Sequence, residues 1–220
     1  MTELTRRTLL TGTAAATAVA AAPLTTRRPA HAAAPPAGTQ APGWYRYKVG
    51  SFEITVVTDG VNRFKLPDNL VSNAKREDVI AALAAARLPS DIFVTPYNPI
   101  VVNTGQRLVV IDTGLGEAGF NATKGVNGQF LTNLAAAGID AKAVDTVIIS
   151  HYHGDHVNGL LKADNSLAFP NAEILVPAAE HKFWMDDGEM SRAPKGRMED
   201  LFKNNRRIFG AVITRCTRFL

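Results

Sequence analysis

Hydrophobic and polar positions follow two periods in this chain, and the alternation between them predicts its elements. Phe52-Glu53-Ile54-Thr55-Val56-Val57-Thr58 is β-branched and stops at Asp59-Gly60, a strand followed by a turn. Residues 76–87 form an alanine-rich helical run halted by Pro89. Two apolar runs, 99–103 and 107–111, flank Thr104-Gly105-Gln106 and predict a hairpin. Residues 130–137 read as a helix, with Gly138 at the position of a left-handed cap. Thr146-Val147-Ile148-Ile149 is short and apolar, as expected of a strand covered on both faces. A strand at 172–176 and a helix at 178–185 follow. Alternating strands and helices predict a layered α/β domain. Beyond Pro194 the pattern looks less orderly, and the apolar run 208–213 lies too near the end to gain many neighbours.

The first 32 residues do not fit that domain. Arg6-Arg7 precedes Leu9-Leu10, a weakly apolar run of Ala and Thr extends to Leu24, and Ala30-His31-Ala32 offers a small-x-small cleavage pattern. This predicts a signal peptide over 1–32, with the twin arginines pointing to Tat export and a periplasmic or secreted product. Residues 33–43, rich in Ala, Pro and Gly, read as a linker, and the domain is expected over 44–220.

Removing the signal changes the charge balance. Arg6, Arg7, Arg27 and Arg28 against Glu3 leave 20 of the 24 basic and 19 of the 20 acidic residues. A near-neutral mature chain gives no case for nucleic acid, nor for a membrane once the signal is cleaved. Cys216 is the only cysteine, so thiolate clusters and an intramolecular disulfide are excluded.

The chemistry lies in His151-Tyr152-His153-Gly154-Asp155-His156, directly behind the apolar strand. Residues i and i+2 of an extended segment face the same way, so His151 and His153 can converge on one ion. Asp155 and His156 lie where the chain turns toward a helix and can diverge toward a second. Imidazole and carboxylate without thiolate suit zinc, manganese, cobalt or iron. An ion with an open position creates hydroxide at working pH, so the expected chemistry is hydrolysis. Asp112 in Asp-Thr-Gly is a candidate to orient a ligand histidine, and a turn residue equally well. Asp59-Gly60 reads as a turn, His181 as a helix-surface residue, and Trp44, Phe183 and Trp184 as core.

His151-x-His153-x-Asp155-His156 resembles the signature of the metallo-β-lactamase superfamily. Residues 41–46, 52–55, Asp59-Gly60, 102–105, 112–114 and 167–172 further resemble methyl parathion hydrolase and its exported relatives. The resemblance implies an αββα sandwich whose site holds two divalent ions, zinc by preference, with His151 and His153 on the first and Asp155 and His156 on the second. It implies a small ester-like substrate, such as an ester, lactone or phosphotriester, attacked by metal-bound hydroxide. Members of the family often pair, so a homodimer is an expected assembly.

One departure stands beside that match. The family's second half supplies another ligand histidine, a bridging aspartate and a final histidine, whereas after His156 this chain has only His181. The sequence therefore reads as an N-terminal portion of the sandwich, incomplete at its C-terminus, as from an altered reading frame or an incomplete gene. Doubtful metal occupancy follows, with much of the second sheet expected to be missing. An inactive relative with weak metal binding and a mononuclear iron oxygenase of the same superfamily are the alternatives.

Overall fold

The computed structural model describes residues 36–219; the signal segment read from the sequence, and the start of its linker, lie outside them. Contacts group Ala41–Leu220 into one compact unit, while residues 36–40 just before it are exposed and irregular. Among the described residues no helix is long and apolar enough to cross a membrane.

Seven strands form the main sheet: β1 (Trp44–Val49), β2 (Phe52–Val57), β5 (Ile100–Asn103), β6 (Leu108–Ile111), β7 (Thr146–Ile148), β8 (Glu173–Val176) and β9 (Thr217–Phe219), adjacent in that order. The first four pair antiparallel, and β6 through β9 run parallel. β3 (Gly60–Lys65) and β4 (Ile92–Tyr97) make a separate antiparallel pair. The helices are α1 (Arg76–Ala85), α2 (Gly116–Thr123), α3 (Phe130–Ala136), α4 (Gly154–Val157), α5 (Ala178–Met185), α6 (Asp187–Arg192) and α7 (Arg197–Cys216). The architecture is mixed α/β, as the alternation of strands and helices predicts.

Local chemistry explains the boundaries. Gly138 closes α3 with φ of 80°, and its neighbour Ile139 N–H returns to Leu134 O at 3.1 Å. The hairpin forms as its pattern predicts, with Val101 facing Val110. Thr146 and Val147 point to opposite faces of β7 and are both buried, as a covered parallel strand requires.

Two stretches depart from the sequence expectation. β3 and β4 are separated by α1, so no short turn announces their pairing, and Pro96 inside β4 argues against a strand. The region beyond Pro194 is a 20-residue helix, and Ile208, Phe209 and Val212 are core residues instead of lacking neighbours. Phe202, Asn205, Phe209 and Val212 recur at helical spacing and all are buried. The polar Asn205 in that stripe, with charged residues around it, hides the periodicity.

Candidate metal centre

The motif sits where the parallel strands end. β6 runs into Asp112 and its neighbour β7 into Ser150, and Asp112 N–H donates to Ile148 O at 2.9 Å. Loops at the carboxyl ends of adjacent strands form the usual crevice for ligands in such sheets. His153 stands at the N-cap of α4, and Asp155 and His156 lie in its single turn.

The four motif donors form one cluster, with the His151 ring centroid 3.9 Å from that of His156, and within it two couples bring donor atoms within hydrogen-bond distance. His151 Nε2 lies 3.2 Å from His153 Nδ1, and His156 Nε2 lies 3.1 Å from Asp155 Oδ2. Two ligands about 2.0–2.1 Å from one tetrahedral zinc stand roughly 3.3–3.4 Å apart, so each couple has the spacing for a shared ion. Among the described residues no three His, Cys, Asp or Glu side chains gather as one metal-holding group. Each couple thus offers two ligands, one fewer than the three that catalytic zinc ordinarily takes from protein.

Behind the couples stands a carboxylate in a strained position. Asp112 has φ of 61°, in the left-handed region that few non-glycine residues adopt. In this pose its Oδ1 accepts Ser150 N–H, and its Oδ2 accepts both Ser150 Oγ and His156 Nδ1, each at 2.8 Å. Burial works to raise the Asp112 carboxyl, but the bonds from His156 and Ser150 outweigh it and hold the group below its usual range.

Tautomers follow from this network. The single Ser150 hydroxyl proton goes to Asp112, so toward His151 Nδ1, 3.1 Å away, Ser150 Oγ can only accept. His151 then carries its proton on Nδ1 and a lone pair on Nε2, facing His153. Burial, with the charges of His156 and His153, lowers the His151 pKa and keeps it neutral. His156 is the opposite case. Burial opposes its charge, but bonds to Asp112 and Asp155 prevail and push it up to about 9. Asp155 is held low by the same His156 contact, against burial.

Several residues have roles that the sequence pattern does not announce. Asp59 is more than a turn residue: fully buried, it accepts Leu115 N–H at 2.8 Å and Phe130 N–H at 3.0 Å. Burial raises its pKa against those backbone bonds. Ser150 carries no motif signal of its own. His181 is not a plain surface residue, since its Nδ1 lies 3.1 Å from the Tyr152 hydroxyl. Trp184 is core as expected, but Trp44 and Phe183 are exposed, with Arg46 lying over the Trp44 ring.

A cavity of about 260 Å³ opens beside Asp112, Asp155 and His156, walled by Pro96, Tyr97 and Pro99. A larger one, about 490 Å³, lies between α3 and the 138–142 loop, and no residue of the motif lines it.

The profile of the metallo-beta-lactamase superfamily matches residues 92–213, more than half of the chain. Among solved structures, AidC, a dizinc quorum-quenching lactonase, is 24% identical with a TM-score of 0.70, over 81% of this chain and 61% of that one. The hydrolase AbOPH of the beta lactamase superfamily is 28% identical with a TM-score of 0.70, over 83% of this chain and 62% of that one. A probable metal-dependent hydrolase from Staphylococcus aureus is 20% identical with a TM-score of 0.52, over 70% and 59%. The chain thus spans about three fifths of the length of these proteins. No curated protein matches it.

Proposed function

The chain belongs to the metallo-beta-lactamase superfamily, and on that footing we propose that it is a metal-dependent hydrolase of small ester-like molecules. Esters, lactones and phosphotriesters are the substrate classes. The observation that carries this is the sorting of four donors into two couples at zinc-compatible spacing behind one strand. His151 and His153 would hold one divalent ion, and Asp155 and His156 a second; zinc fits this imidazole and carboxylate set. When bound, such ions bring the ionisation of water toward neutral pH and polarise a carbonyl or phosphoryl oxygen.

The chain's own residues do the positioning. Asp112 and Ser150 fix the protons on His156 and His151, leaving Nε2 of each ring to the ion. Pro96, Tyr97 and Pro99 wall the cavity in which the substrate's acyl or alkyl group would lie. The segments around the motif support placement in the methyl parathion hydrolase-like branch, and Arg6-Arg7 with Ala30-His31-Ala32 supports Tat export to the periplasm or beyond. A homodimer remains the assembly proposed, and neither nucleic acid nor a membrane is proposed as a partner.

A second proposal has its own observation. With two ligands per couple, the chain alone would bind metal weakly and turn over little, as an inactive relative would. Metal analysis of the purified chain together with turnover of a lactone and a phosphotriester separates the two. Two tightly held ions with turnover support the hydrolase. Weak binding without turnover supports the inactive relative. Iron with oxygen consumption contradicts both and indicates an oxygenase.

A further inference from the structure

Tyr152 stands between two of the candidate ligands and faces away from them. It is fully buried, its ring stacked on Phe209 at 4.0 Å and its hydroxyl 3.1 Å from His181 Nδ1. In an extended segment that burial turns His151 and His153 together toward the opposite side. The peptide of Tyr152 therefore governs the aim of both imidazoles.

Backbone ties along this loop pass from the last rung of the β7–β8 ladder to side-chain carboxylates. Ile149 N–H goes to Leu175 O, and Ser150 N–H to Asp112 Oδ1. Tyr152 N–H donates to Glu180 Oε2 at 2.9 Å. Glu180 lies in the first turn of α5, and the same oxygen accepts the Trp184 indole N–H, one turn further on, at 3.0 Å. Trp184 is buried against Phe202 with ring centroids 4.7 Å apart, so the carboxylate is held by a packed helix. One oxygen atom thus couples the loop carrying the histidines to α5.

We propose that Glu180 is the positioning residue of the His151–His153 couple, acting through the Tyr152 amide. This rests on the two histidines holding an ion. It assigns Glu180 no contact with metal or substrate. Partners one shell beyond metal ligands change affinity by roughly 10–100-fold when removed, and Glu180 is expected in that range.

The test uses the full chain with zinc, titrated against a chromophoric chelator, and amide hydrogen exchange on the metal-free protein. Glu180→Ala should weaken zinc binding roughly 10–100-fold and speed exchange at Tyr152. Glu180→Gln keeps an oxygen acceptor and should restore both readouts to near the parent values. Leu134→Val, a core change in α3, should lower the melting temperature while leaving zinc affinity and Tyr152 exchange unchanged. If Glu180→Ala does not fold, Glu180→Asp, which withdraws the acceptor by one methylene, takes its place with the same expectation. Parent-like zinc affinity in Glu180→Ala overturns the proposal. So does equal weakening in Leu134→Val, or a Glu180→Gln variant as weak as Glu180→Ala. A parent chain that binds no zinc overturns the metal assignment instead. The anchor is then decided by exchange alone, and unchanged Tyr152 exchange in Glu180→Ala overturns it.

Discussion

Asp112 Oδ2 lies 2.8 Å from His156 Nδ1, while the other ring nitrogen of His156 faces Asp155. Both nitrogens therefore donate to carboxylates in the metal-free chain, and the ring stays protonated up to about pH 9. An ion on Nε2 must displace that proton. Zinc binding at pH 7.5 is expected to release close to one proton from this ring, and apparent affinity should rise about tenfold per pH unit up to that pKa. Calorimetry in buffers of different ionisation enthalpy measures the release. A pH-independent affinity would contradict it.

The same shift has a sign for stability. The His156 pKa is raised above its unfolded value near 6.5, so its contribution is full below pH 6.5 and is lost as pH rises through about 9. The side chain is 24% exposed, so about 1–3 kcal/mol is at stake after allowing for solvent screening and for the bonds that Asp112 and Asp155 share with it. Urea denaturation of the metal-free chain should show lower stability at pH 9.5 than at pH 6. His156→Asn should flatten that difference.

Asp112→Asn removes the charge that sustains the network. The His156 midpoint, followed by NMR in metal-free protein, should fall from about 9 toward its ordinary value. Zinc affinity should drop roughly 10–100-fold. An unmoved midpoint would show that Asp155 alone holds the proton.

Asn205 is fully buried in α7, and among the described residues neither its Oδ1 nor its Nδ2 has a hydrogen-bond partner. A buried unsatisfied amide costs about 1–3 kcal/mol. Asn205→Leu should therefore stabilise the chain by about 1–2 kcal/mol in equilibrium denaturation. A loss of stability would mean the amide makes a bond that this arrangement does not show.

What the sequence discloses follows the distance over which each feature is encoded. The hairpin 100–111, the cap at Gly138 and the six-residue motif are local, and each stands where its pattern places it. The supports of the motif are not local. Ser150 meets Asp112 across 38 positions, Glu180 meets Tyr152 across 28, and Asp59 meets Leu115 across 56. No spacing rule links such pairs; the parallel connections after β6 bring Ser150 to Asp112 and Glu180 to Tyr152, and the antiparallel order β2–β5–β6 brings Asp59 to Leu115. Asp112 is legible as a candidate because it ends a strand at Asp-Thr-Gly, whereas its positive φ and threefold acceptor role are not. The helix over 197–216 stayed hidden because a polar residue occupies its buried stripe.

The proposed hydrolysis requires that the two couples hold metal. Zinc content of the purified chain, measured by elemental analysis after equilibration with zinc and gel filtration, tests it most directly beside a His151→Ala, His153→Ala double variant. The parent is expected to retain zinc, and the double variant to lose at least the ion of that couple. Equal zinc in both, or none in the parent, would contradict it.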